Sequence, residues 1–190
     1  MAKTGERKAQ ILQTLAAMLE NPKGERITTA SLAARLDVSE AALYRHFTSK
    51  AQMFEGLIEF IEQTVFTLVN KIQTDEADAM KQVEATVATL LGFAQKNPGM
   101  TRVLIGDALV NEDERLQSRV NQLLDRLEAS LRQSTRLAVT AGTFPADWEV
   151  NAYANALIAF VVGRWHQYAK SGFKRLPMES WPQQWRVFAS

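Results

Sequence analysis

The sequence predicts an all-α fold of about nine helices, on three observations. Apolar residues recur at spacings of three and four along most of the chain, as one buried helix face requires. Hydroxyl or acidic residues stand ahead of several of these runs and Pro or Gly behind them, the punctuation of helix starts and stops. The chain has 190 residues, 46% of them hydrophobic, enough to bury a sizeable core. About 70% of the unfolded surface is hidden at this size.

Ile11, Leu12, Leu15, Met18 and Leu19 form the inward stripe of a first helix that ends around Asn21, with Pro22 and Gly24 as breakers. Lys3, Arg7 and Lys8 stand before it, placed to reach a phosphate or the minor groove. Thr28 or Thr29 can cap a second helix, in which Leu32, Ala33 and Leu36 make a narrow apolar stripe. That helix stops near Asp37, Val38 plugs the turn, and Ser39 caps a third helix over 40–47. Leu43 and Phe47 of the third helix face inward, leaving Ala41, Ala42, Tyr44 and His46 outward.

A long helix over about 49–72 follows, with Met53, Phe54, Leu57, Ile58, Ile61, Val65 and Leu68 as its apolar positions, and the charged stretch 73–78 connects it onward. The next helix, about 79–96, ends at the stop Asn97-Pro98-Gly99, and 100–109 is a short amphipathic piece. From 112 to about 139 runs a helix of roughly 40 Å. Leu116, Val120, Leu123, Leu127 and Leu131 make its packed face. After a break at 140–145, Asp147 helps start a helix whose apolar face holds Tyr153, Leu157, Ile158, Phe160, Val161 and Trp165. Pro177, Trp181, Pro182 and Trp185 mark a last short helix folding back on the rest.

Two short helices around a tight turn, capped by Ser39, form the layout of a helix-turn-helix headpiece. A recognition helix enters the major groove by its N-terminal end, so Ser39, Glu40, Ala41 and Ala42 are candidates for base or thymine-methyl contacts. Thr28 and Thr29 join them as candidate DNA-binding positions. Tyr44, Arg45, His46 and Lys50 are placed for phosphates, which fix register rather than sequence. Lys50 opens the next helix, whose first N–H groups also favour an anion. A plain packing pair of helices with solvated charges is the alternative; aromatic and basic residues gathered on one outward face favour DNA. The charge distribution agrees. Residues 1–50 carry eight Lys or Arg against five acids, net +3, whereas the whole chain is only +1.

The string VSEAALYRHFTSK, with LAARL before it and MF after it, resembles the headpiece of TetR-type regulators. FEGLIEFIEQ from Phe54, LLGFAQKNPGMTRVLIGDAL from Leu90 and ERLQSRVNQLLDRLEASLRQ from Glu114 look like the body of the nucleoid occlusion branch of that family. The resemblance implies a TetR-like architecture: a headpiece over 1–50 and a helical body over 51–190 for dimerisation and partner binding. It implies a homodimer that binds palindromic double-stranded DNA in the chromosome. When bound, that dimer antagonises assembly of the tubulin-like division protein FtsZ. The positions matching the FtsZ-facing surface are Phe60, Gly92, Lys96 and Asn97. Lys96 stands where that branch carries arginine, and Leu68 where it carries a basic residue. Asp37 replaces the usual glycine of the turn, and aspartate tolerates φ > 0.

A four-helix-bundle dimer would use the two long late helices, with Leu127, Leu131, Leu157, Val161 and Trp165 at the interface. The alternative is that these faces serve only the core of one chain. Phe60 on a helix is by default core; the resemblance moves it toward a partner anchor. Gly92 in mid-helix invites a reason such as close approach of another backbone.

Trp148, Tyr153, Phe160, Trp165 and Tyr168 could line the pocket of a ligand-responsive repressor, but the resemblance implies a body working through a protein partner, so no small-molecule ligand is expected. No Gly-rich phosphate loop, GxSxG, HExxH or spaced carboxylate pair points to an enzyme. Neither histidine has a second ligand at metal spacing, so no metal or cofactor is expected. The absence of cysteine removes disulfide and thiol chemistry. No apolar run nears the roughly 18 residues of a membrane span, so the chain is expected in the cytoplasm, on the nucleoid.

Overall fold

Local signals build most of the helices. The computed structural model describes residues 4–21 and 27–189, and among these the elements are nine α-helices and one 3-10 turn, with no strand. They are α1 (Thr4–Leu19), α2 (Thr29–Arg35), α3 (Glu40–Tyr44), α4 (Lys50–Asp75), α5 (Ala79–Lys96), α6 (Pro98–Leu104), the 3-10 turn η1 (Asp107–Leu109), α7 (Glu114–Thr140), α8 (Val150–Lys170) and α9 (Trp181–Phe188).

Several predicted boundaries move. Arg7 and Lys8 lie inside α1 rather than ahead of it, and Lys3 lies outside the described residues. The third helix ends at Tyr44, with Arg45 as its C-cap, instead of at Phe47. Asn97-Pro98-Gly99 is a start as well as a stop: Asn97 is the N-cap of α6 and Pro98 its first residue, where the missing N–H costs nothing. Asp147 does not cap α8, which begins after Glu149 without a side-chain cap.

The helices form two compact units, the first of residues 1–61 and 97–120, the second of 62–96 and 121–190. Residues 51–61 and 97–120 therefore belong with the headpiece, not with the rest of the body. In the first unit Ile11, Leu15, Leu43, Met53, Phe54 and Leu57 are all buried. A Cβ at Gly99 would stand 2.0 Å from the Ala16 carbonyl oxygen, so the α6 backbone lies directly on that of α1. Arg102, at 9% exposure, links the same elements. Its guanidinium donates to Asp107 at 2.9 Å and to the carbonyls of Leu19 and Asn21 at 3.2 and 3.3 Å.

In the second unit the most deeply buried polar links are neutral, and the charged ones, such as Arg126 with Glu62 at 3.4 Å and Arg164 with the carbonyls of Leu176 and Pro177, lie nearer the surface. Ser134 Oγ donates to Gln82 Oε1 at 2.9 Å, and Gln82 Nε2 donates to the Glu76 carbonyl at 2.7 Å, tying the α4–α5 connection to α7. Trp165 Nε1 donates to the Leu90 carbonyl and Tyr168 to that of Gln95, both at 3.1 Å, which registers α8 against α5. Other aromatics of this unit pack on one another. Phe144 stacks on Trp148 with ring centroids 4.3 Å apart, Tyr153 meets both edge-on, and Phe160 packs against Trp181 and Phe188. Tyr153 also donates to the Phe188 carbonyl at 2.9 Å, and burial pushes its hydroxyl up to about 12.

Candidate nucleic-acid interface

The headpiece is assembled by caps. Thr28 caps α2: its Oγ1 accepts from the Ser31 N–H at 3.1 Å while Ser31 Oγ accepts from the Thr28 N–H at 3.0 Å, a reciprocal box. The helix ends in a Schellman turn, with the Val38 N–H on the Ala33 carbonyl and the Asp37 N–H on that of Ala34. Asp37 takes φ 54°, the left-handed conformation that glycine usually supplies. Ser39 then caps α3 by accepting from the Ala42 N–H at 3.3 Å. Thr29 Oγ1 donates to Glu40 Oε2 at 2.6 Å, which joins the starts of the two helices.

These bonds sort the ten candidate DNA positions. Thr28, Thr29, Ser39 and Glu40 are engaged with their own backbone or each other, so their first task is to shape the motif. Ala41, Tyr44 and Arg45 are exposed, with Tyr44 at 44%, and Ala42 is half-exposed. Together they form an outward strip of α3 with a small-residue start, an aromatic hydroxyl and a cation, suited to close approach by a duplex. His46 is half-buried, and its Nδ1 meets no hydrogen-bond partner. Lys50 is the first residue of α4; its ammonium is ion-paired with Glu112 and lies 5.6 Å over the Phe54 ring. That pairing, between residues 62 apart, has no local sequence signal. Nor has the role of Arg102, which lies in an apolar stretch.

The candidate partner positions are surface features of their own units. In the first unit, Phe60 is 48% exposed, and Asn97 is half-buried with its carbonyl accepting from Thr101. In the second, Lys96 is exposed at the end of α5, and nothing lies within 4 Å of a Cβ built at Gly92. Close packing inside the chain is therefore not the reason for that glycine. Leu68, 41% exposed, lines a shallow groove of about 300 Å³ with Ile72, Ala85 and Thr89.

The dimer-interface assignment is corrected. Leu127, Leu131, Leu157 and Val161 have no accessible surface in the single chain, and Trp165 has 1%. A side chain with no surface left to cover cannot line a contact with a second copy. The outward face of α8 instead carries Ala152, Ala156, Ala159 and Gly163.

Among the described residues, no group of three or more His, Cys, Asp or Glu could hold a metal ion, and no helix is long and apolar enough to cross a membrane.

Comparison with known proteins agrees with the architecture. Residues 23–57 match the family described as bacterial regulatory proteins, tetR family, and 77–190 match the SlmA-like family described as tetracyclin repressor-like, C-terminal domain. A nucleoid occlusion factor SlmA of Marinomonas sp. is 52% identical over 98% of this chain and 95% of its own length. The protein of the same name from Shewanella oneidensis is 48% identical over 95% of this chain and 91% of its own. Among solved structures, a TetR transcription regulator from Haloarcula marismortui has TM-score 0.80 at 15% identity, covering 97% of each chain. PfmR from Thermus thermophilus has TM-score 0.78 at 20% identity, covering 94% of this chain and 96% of its own, and at these identities the likeness is one of fold. With a TetR-type headpiece, a body that matches the SlmA-like family and about half identity to SlmA proteins over nearly the whole chain, the chain belongs to the SlmA family of TetR-type nucleoid occlusion factors.

Proposed function

We propose that this chain acts as a homodimer bound to palindromic chromosomal sites, where it antagonises FtsZ assembly and blocks division over the nucleoid. The observation that carries this reading is the similarity of the whole chain, body included, to nucleoid occlusion factors at about half identity over nearly the full length. A shared headpiece alone would argue only for DNA binding.

The dimer is needed because one headpiece offers few contacts, whereas two, about 34 Å apart, read a two-fold symmetric site. The Ala152, Ala156, Ala159 and Gly163 face of α8 supports a helix-to-helix seam, since small side chains let two helices approach closely. Phe60, Gly92, Lys96 and Asn97 are the positions through which FtsZ would be engaged.

The test is sedimentation of purified FtsZ with this protein, with and without a palindromic duplex, at fixed salt. DNA-stimulated co-sedimentation with fewer polymers is expected; DNA binding with no FtsZ contact would reduce the protein to an ordinary repressor. In the same assay Ala159→Glu should give monomers with near-nonspecific DNA affinity, and a dimeric variant with full operator affinity would sink the α8 seam.

A further inference from the structure

We propose that Glu112 is a built-in competitor of DNA phosphate for Lys50, so that docking on DNA frees the loop that opens α7. The inference rests on the reading of the headpiece as DNA-binding with Lys50 on a phosphate.

Two of the first unit's cations near the loop between η1 and α7, Arg102 and Lys50, differ in how they are held. Arg102 is fixed by three bonds, to one carboxylate and two carbonyls, in a fork that only a guanidinium satisfies. Lys50 has a single carboxylate, Glu112, and the face of Phe54. Its ammonium rides on a flexible four-carbon stem and can be redirected without breaking anything else.

The pair is also within reach of solvent. The two side chains are 21% and 11% exposed, and a recess of about 200 Å³ lined by Lys50, Phe54, Val110, Asn111 and Glu112 opens beside them. Lys50 sits at the N-terminal end of a long helix, where the dipole disfavours a cation, so an acceptor is required. Without DNA the acceptor is Glu112. A duplex offers a row of phosphates at high local charge, and its phosphate exchanges with the carboxylate.

Glu112 is placed so that its release is felt. It follows Asn111, which is held at φ 63°, and precedes Asp113, whose Oδ1 accepts from the Arg115 N–H at 3.0 Å at the first turn of α7. The Arg115 guanidinium donates to both oxygens of that carboxylate, at 3.0 and 2.7 Å, and these bonds hold its pKa down at about 2. Glu112 is thus the tether by which the start of α7 senses what Lys50 is bound to.

Phosphate contact is independent of sequence, so the test uses the full chain and a mixed-sequence duplex of about 30 base pairs, read by anisotropy at several salt concentrations. Lys50→Gln should weaken binding about fivefold or more and lower the salt slope by about 1 per headpiece. Glu112→Gln should tighten binding about fivefold. In the double variant the gain should vanish, because the competitor has nothing to compete for.

A gain from Glu112→Gln that persists in the Lys50→Gln background would be a general field effect and overturns the proposal, as does no gain while Lys50→Gln weakens binding. If Lys50→Gln changes nothing, Lys50 is not a phosphate ligand and the proposal falls with that assignment. If the wild-type chain ignores the duplex, the DNA-binding reading itself fails.

Discussion

The two units of this chain solve one problem in different ways. Each must join helices distant in sequence through polar groups at their seams. The first unit uses ions: Arg102 with Asp107, and Lys50 with Glu112. The second unit buries neutral amides, hydroxyls and indoles at its seams, Gln82 with Ser134, Trp165 with Leu90, Tyr168 with Gln95, and leaves its ion pair between distant helices, Arg126 with Glu62, at the surface with Arg126 58% exposed. Ionic links are stronger per bond, yet a polyanion or salt can rearrange them, whereas neutral links respond to neither. The buried charged seams lie in the unit that carries the DNA-reading helices. A linkage that DNA can rewrite is placed where DNA acts, and one that it cannot rewrite is placed where the body must keep its shape.

Arg102→Met is the harshest way to break this contrast. It removes the guanidinium's bonds to the Asp107 carboxylate and two carbonyls, a loss of about 3 kcal/mol, toward the lower end for a broken buried pair. Urea unfolding should show the loss, with hydrogen exchange accelerated in α1 and α6; a change below about 1 kcal/mol would mean that the guanidinium does not hold the first unit. Gln82→Leu is the matching cut in the second unit. It takes the acceptor from the Ser134 hydroxyl and the amide donor from the Glu76 carbonyl, and should cost about 1–3 kcal/mol. Its effect should hardly vary with salt, and a steep salt dependence would undo the distinction between the units. Gly92→Ala is the gentlest probe. The space around it is open, so the helix should gain up to about 1 kcal/mol. Lower FtsZ affinity in that more stable variant would place Gly92 in the partner surface, whereas destabilisation would show a hidden packing role.

Much of the headpiece was legible because its determinants are local. Thr28 and Ser39 cap the helices that follow them, Asp37 and Val38 close the turn, and Leu43 faces inward, all within a few residues of what they act on. The candidate site was legible in outline only. Tyr44 and Arg45 point outward as expected, but the hydroxyls of Thr28, Thr29 and Ser39 turned out to serve the motif first. The sequence places Lys50 on a phosphate but carries no sign of the carboxylate that occupies it, 62 residues away.

By itself the sequence determined the all-helical class, the headpiece with its caps and the relationship to one branch of the TetR-type regulators. Those properties follow from hydrophobic period, capping chemistry and motif strings, all of which are written along the chain. Only the tertiary structure decided what each apolar face buries against. Leu127, Leu131, Leu157, Val161 and Trp165 have the pattern of an interface, but helical periodicity says that a face is covered and not by which partner. Their own chain covers them completely or nearly so. Long-range pairing decided the rest: which of two cations is locked and which can be exchanged depends on groups brought together by folding, and no local pattern encodes that choice.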